Sequence, residues 1–92
     1  MKVTKIRMKS GCQQSNNVLE ISQIYIEGCL NPGWFYKADI YDYLMNHPNS
    51  IYVGISPYPF LVPAKSIYGE KYVRSEADNT TRDNLLKLPR VY

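Results

Sequence analysis

From residue 3 to residue 9 the chain alternates. Thr4, Ile6 and Met8 fall to one side, Lys5, Arg7 and Lys9 to the other. A period of two is the signature of a half-buried strand, so a first strand with a cationic outer face is expected here. Residues 10–17 have no apolar periodicity and read as a polar hairpin loop. In the second strand, residues 18–27, Leu19 and Ile21 give way to Ile24 and Ile26, a change of phase that one extra residue near Ser22-Gln23 explains. A bulge is therefore expected there. Residues 28–34 form a turn-rich link in which Pro32-Gly33 carries the signal of a type II turn. A helix follows over residues 37–46. Ile40, Tyr41 and Leu44 share its inner face, Asp39 and Asp42 face water, and Pro48 closes it. Asp39 also suits the positive end of the helix dipole.

Residues 50–56 give a third strand with Ile51, Val53 and Ile55 alternating against Ser50, Tyr52 and Gly54. Pro57-Tyr58-Pro59 is a rigid connection, since proline is not accommodated inside a paired central strand. Residues 60–68 return as a fourth strand, with Pro63 marking an edge or a bulge. Tyr68-Gly69-Glu70 then turns into a fifth strand, residues 71–75, with Tyr72 and Arg74 on one side and Lys71, Val73 and Ser75 on the other. Asp78-Asn79 supplies a turn that tolerates left-handed backbone. Asp83 or Thr80 caps a last helical turn. Leu85, Leu86 and Leu88 dock on the core before Pro89 stops the segment. The sum is an α+β domain in the order ββαβββ: a largely antiparallel five-stranded sheet packed on one main helix, with a short C-terminal helical turn.

Composition narrows the class. The 92 residues suit one domain, and with 45% apolar and 21% charged residues they describe a globular chain. No apolar run approaches the roughly 18 residues of a membrane span, and residues 1–7 lack the apolar core of a secretory signal. Cys12 and Cys29 are expected as free thiols of a reducing compartment, and a cytoplasmic protein is the expectation. With His47 as the one histidine, those thiols assemble no ligand set, so no metal or cofactor is expected. Nor does the chain bring together a nucleophile, an acid and a base, or a glycine-rich phosphate loop. A non-enzymatic protein is expected.

Net charge is +3, unevenly placed. Lys2, Lys5, Arg7 and Lys9 crowd the first ten residues with no acid among them. That is one way to keep a strand edge from aggregating, and it is also what an anionic partner requires. Nine Tyr, two Phe and one Trp make the chain 13% aromatic. Trp34, Phe35 and Tyr36 precede the helix, and Lys71, Tyr72 and Arg74 lie in a strand the topology can bring beside it. Rings that stack a base and cations that hold a phosphate are what a nucleotide or a single strand of nucleic acid needs. The plainer reading makes Trp34 a core plug and Tyr72 with Arg74 a packed ring and its cation.

The stretch Lys71-Tyr72-Val73-Arg74-Ser75, followed by Asp78-Asn79-Thr80 and Asp83-Asn84-Leu85-Leu86-Lys87-Leu88-Pro89, resembles the carboxy-terminal signature of a family of small, mostly bacterial and viral proteins, domain of unknown function 3892. Pro32-Gly33-Trp34 and Ile51-Tyr52-Val53 resemble two further motifs of that family. The chain departs from it at Lys37, where a capping Thr is usual, and at Asn31 and Asn79, where Gly is usual. The resemblance implies a small free-standing protein and brings no established catalytic residues.

The candidate ligand-binding set is Trp34, Tyr36, Lys71, Tyr72, Arg74, Arg82, Asp83 and Asn84. The leading expectation is a binding protein, a phage or mobile-element accessory factor that sequesters a host factor such as a signalling nucleotide or other anionic small molecule. An exposed edge and surplus tyrosine favour a homo-oligomer. Nucleic-acid association through strand one and the Lys71/Arg74 face stands as an alternative, and a small hydrolase or transferase as another. No membrane partner is expected.

Overall fold

A computed structural model of the chain describes residues 1–76 and 83–91, so the Asp78-Asn79 turn, Thr80 and Arg82 lie outside the described residues. Strand β1 (Lys2–Met8) pairs antiparallel with β2 (Ile21–Glu27). The pairing is interrupted twice. Val3 faces Ile26 and Lys5 faces Tyr25, which leaves Thr4 as an extra residue in β1. Arg7 faces Gln23 and Met8 faces Ile21, which leaves Ser22 as an extra residue in β2, where the change of hydrophobic phase calls for one. The first bulge alters the expected faces. Val3 and Ile6, three apart, both turn inward and are fully buried, while Thr4 leaves the inner row.

The remaining strands form two sheets instead of one. The larger has the order β3-β2-β1-β4, where β3 is Gly33–Tyr36 and β4 is Tyr52–Val53. β4 runs parallel to β1, so this sheet is mixed. The smaller is the antiparallel hairpin of β5 (Leu61–Lys65) and β6 (Lys71–Ser75). The architecture is thus α+β with six strands, one more than expected. The added strand is β3, hidden in sequence because it is short, follows a turn-rich link and runs directly into the helix. Gly33 opens that strand, and the left-handed φ of this link belongs to Gly28 at 80°; Pro32-Gly33 is therefore not the type II turn expected, which needs positive φ at the glycine.

The third strand is cut to two residues by its own sequence. Gly54 donates its N–H to Val3 O at 2.8 Å, and a Cβ built there would lie 2.9 Å from that same oxygen. The chain then departs through Pro57-Tyr58-Pro59, rejoins by a bridge between Tyr52 and Phe60, and enters the smaller sheet. Pro63 stands in β5 opposite Val73. β5 has β6 as its one strand partner in that sheet, and on its open edge a missing N–H costs no ladder bond.

Helix α1 (Lys37–Asn46) packs chiefly on the β5–β6 hairpin and also meets β2 and β3. Ile40 and Leu44 supply its buried face. Its first turn has no side-chain cap; Tyr36 occupies the capping position without making the bond. Lys37, in place of the capping residue expected near there, turns inward. Its Nζ donates to Leu19 O, just ahead of β2, and to Glu70 Oε2 in the β5–β6 turn. Lys9 Nζ reaches the same Glu70 oxygen at 3.1 Å. One carboxylate therefore ties the end of β1, the start of the helix and the hairpin turn. Hydrogen bonds from Lys37 and then Lys9 hold the Glu70 carboxyl below the usual glutamate range. Lys37 itself is pushed below the usual lysine value, because its burial outweighs the acid beside it.

The tail behaves as its leucines require. Asp83 caps a 3-10 turn (Asn84–Lys87), and Leu85, Leu86 and Leu88 enter the core at 0%, 3% and 6% exposure. The chain then pairs with the free edge of β1: Ile6 N donates to Pro89 O at 3.0 Å and Val91 N donates to Ile6 O at 2.9 Å. The same edge of β1 thus carries β4 on its first half and the tail on its second.

Two outcomes follow. Leu85→Ala empties a fully buried site and should lower unfolding free energy by about 2–5 kcal/mol in denaturant titration. Glu70→Gln should destabilise at neutral pH by leaving Lys37 without its acid. Because the folded Glu70 carboxyl titrates below the ordinary value of 4.5, its contribution is present above that value and is lost as pH falls through the folded one. The gap in melting temperature between Glu70→Gln and the parent should therefore close as the solution is acidified below about pH 4; a gap independent of pH would contradict the assignment.

Candidate functional site

The two bulges decide what stands on the outer face of the larger sheet. Opposite residues in a ladder share a face. Ile24 with Phe35 and Ile6 with Ile24 point to the core, so Gln23 with Tyr36, and Tyr25 with Trp34, point away from it. Arg7 opposes Gln23 and Lys5 opposes Tyr25. The outer face accordingly carries two rows across three strands: Tyr36–Gln23–Arg7 and Trp34–Tyr25–Lys5. Lys5 and Tyr36 are exposed, and Arg7, Gln23, Tyr25 and Trp34 are half-buried.

These side chains meet one another. The Arg7 guanidinium lies 4.2 Å from the Trp34 ring centroid, and Lys5 Nζ lies 4.6 Å from that of Tyr25. Both are cation–π distances, and Trp offers the strongest ring for such a contact. Tyr25 and Trp34 meet edge to face, 5.3 Å apart at 74°. Arg7 Nη1 also donates to Gln23 Oε1 at 2.7 Å, which fixes the guanidinium over the indole. Its planar fork keeps further donors for an incoming anion, and its flat face remains a stacking surface. Two ring-and-cation pairs stand side by side on an open sheet.

The expected set is divided by this geometry. Trp34 and Tyr36 come together with Lys5, Arg7 and Tyr25, and Trp34 is an outer-face residue, not a core plug. Lys71 is held elsewhere, its Nζ 2.8 Å from Asp42 Oδ1 and 5.4 Å from the Tyr41 ring of α1. The Asp42 hydrogen bond raises the Lys71 pKa above the usual lysine value. Tyr72 and Arg74 lie on the opposite face of the hairpin from Lys71, beside Ala64 and Val62. Asp83 accepts from Ser75 N at 3.2 Å, Ser75 Oγ at 2.9 Å and Leu85 N at 2.9 Å, and Asn84 is fully buried beneath it. Those bonds give Asp83 and Asn84 a structural task. Arg82 lies outside the described residues.

A sequence signal for the missed members existed. Lys5, Arg7 and Tyr25 are the outward alternates of β1 and β2. What was missing was β3, which brings Trp34 alongside them.

Another concavity, of about 660 Å³, opens between the start of the helix and the β2–β3 link. Ile26, Cys29, Leu30, Phe35, Ile40 and Tyr43 are among its lining residues. Its one charged side chain is Asp39, which is the wrong sign for an anionic ligand. Cys12, on the polar loop, donates its thiol to Glu20 Oε2 at 2.9 Å, and this bond raises the thiol pKa. The bond favours the protonated thiol over the thiolate.

A small α+β domain with an aromatic and cationic sheet face is the class of protein that fold and site define. The chain matches the family described as "Protein of unknown function (DUF3892)" over residues 2–89, and it belongs to that family. No curated protein and no solved structure matches it. Among the described residues no helix is long and apolar enough to cross a membrane.

The structural reading of Asp83 has its own check. Asp83→Ala leaves the Ser75 and Leu85 donors unpaired and should cost about 1–3 kcal/mol of stability in denaturant titration; an unchanged midpoint would contradict it.

Proposed function

We propose that the protein is a non-enzymatic binding module that takes single-stranded nucleic acid on the outer face of its larger sheet. The observation that carries this is the pairing of Arg7 with Trp34 and of Lys5 with Tyr25 in one open, outward surface. Aromatic faces accept any base, and cations between them neutralise the phosphates. Duplex DNA fits poorly, because its bases are already stacked and reading its major groove calls for a basic helix or ribbon. Here α1 carries Asp39 and Asp42 on its solvent side.

Sequestration of a signalling nucleotide is the competing reading. A mononucleotide bound tightly calls for a concavity that encloses most of its surface, whereas the two ring-and-cation pairs lie on an open sheet. The setting that suits the proposal is a cytoplasmic accessory protein of a phage or mobile element. Two free cysteines fit a reducing compartment. β3, at the edge of the larger sheet, gives the proposal a place for a second copy to add a strand.

The test is fluorescence anisotropy with a labelled oligothymidylate. Lys2, Lys5 and Arg7 together predict a log–log salt slope of about −2. Trp34→Ala should weaken binding by about 1–3 kcal/mol for one lost stack, and Tyr72→Ala, in the other sheet, should leave it unchanged. Absence of binding even at low salt would refute the proposal. Equal affinity for a mononucleotide and an oligomer would transfer the assignment to the nucleotide reading.

A further inference from the structure

A second group of rings stands at the other side of the same sheet. Val3 and Val53 pair inward where β4 lies parallel to β1, so Tyr52, the partner of Lys2, shares the outer face with Lys2 and Lys5. Phe60 opposes Tyr52 across the antiparallel bridge. Tyr58 meets Tyr52 edge to face, with ring centroids 6.3 Å apart at 80°. The three rings line a depression of about 390 Å³. Tyr58 is 59% exposed and Phe60 39% exposed, although both are large and largely apolar.

The backbone supports this placement at a cost. Tyr58 has φ of 59°, a left-handed conformation that is uncommon for any residue but glycine. Its N–H bonds Ile55 O at 2.7 Å, and Pro57 and Pro59 flank it. Strain of this kind persists where the surrounding structure enforces it and recurs at ligand-binding positions. Glu76, the acid that reaches this loop, is engaged at the Phe60 N–H at 3.3 Å.

The geometry points to the Tyr52–Tyr58–Phe60 depression as a second base-stacking subsite for the same single strand. This inference rests on the function proposed above. Trp34 in β3 and Tyr52 in β4 are separated by three inter-strand spacings across the sheet, about 14 Å, and further by the offset from Lys5 to Lys2 along β1. Lys2 and Lys5 occupy the interval in β1, with Glu27 the acid that stands opposite Lys2 on this face. A strand with one base over the Arg7–Trp34 pair and a later base in the depression lays its phosphates past these two ammonium groups. The far subsite accepts a nucleobase without regard to sequence, since every base has a face to stack on its rings.

Oligothymidylates of about three and about eight nucleotides, both within or near the site sizes of single-strand binders, separate the subsites. The parent protein should bind the longer one more tightly. Tyr58→Gly removes the ring and suits the left-handed backbone, so it is expected to fold, with its melting curve as the check. It should weaken the longer oligomer about ten-fold, the loss of one base stack, and leave the shorter one unchanged. Tyr58→Phe should restore the longer oligomer's affinity. If Tyr58→Gly binds the longer oligomer as the parent does while Trp34→Ala does not, the second subsite is wrong and the proposed function stands. Equal weakening for both lengths would also overturn it, because the ring would then not act as a separate subsite. If the parent binds neither oligomer, the proposed function fails and the subsite with it.

Discussion

The structure depends on a single extra residue in a seven-residue strand. β1 is hydrogen-bonded on both edges, to β2 on one side and to β4 and the tail on the other. With an unbroken period of two, Val3 and Ile6 would face opposite ways. The bulge at Thr4 turns both into the core and sends Lys2, Lys5 and Arg7 to the outer face together. A register slip of one residue would exchange the two sets, placing three cations against the leucines of the tail. Burial of Val3 and Ile6 therefore fixes the positions of the cations. The cost is local: Thr4 Oγ1 is buried without a hydrogen-bond partner among the described residues, a loss of about 1–3 kcal/mol.

Several acids of the chain serve the fold, while Glu27 stands opposite Lys2 on the outer face and Lys5 and Arg7 have no acid opposite them. Glu70 engages Lys9 and Lys37, Asp42 engages Lys71, and Asp83 engages Ser75 and Leu85. Glu20 is taken up by the thiol of Cys12 and the hydroxyl of Ser15. Lys5 and Arg7 instead lie over rings. A cation–π contact neutralises nothing, so the positive potential of those two groups stays available above the sheet. Much of the modest net charge of +3 is thus gathered on this one face.

Much of the fold was legible because local signals agreed with one another. The helix, the β6 strand, the bulge at Ser22 and the leucine anchor each combine a period with a stop signal, and each appears where expected. What escaped had a physical reason. β3 is four residues long, and no propensity separates so short a strand from the link before it and the helix after it. The bulge at Thr4 was masked because Thr4 is a fit strand residue that completes an alternation with Ile6 and Met8, although Val3 and Ile6 stand three apart. The candidate site was half legible for the same cause. Its rings and cations were recognised by type, but Trp34 and Tyr36 were grouped with Lys71, Tyr72 and Arg74 because pairing of distant strands carries no local mark. The register that joins Trp34 to Tyr25, and Tyr25 to Lys5, is a property of the folded sheet alone.

An exposed sheet face needs polar residues for solubility, and this one has them, yet three of the six side chains in its two rows are aromatic. Gln23 explains how the two requirements coexist. By accepting from Arg7 at 2.7 Å it holds the guanidinium flat above Trp34, which shields the indole from water in the free protein. The same bond removes rotamer freedom before any ligand arrives. Ordering a long side chain on binding costs about 0.5–1.5 kcal/mol, and here that ordering is already in place. A ligand taken on this face as proposed would meet a guanidinium already held over the indole, so binding need not first assemble the surface. Preorganisation of this kind is of little use to a face whose only task is to stay wet, and it is the reason the outer sheet, rather than the apolar groove beside Asp39, is the surface proposed for a ligand.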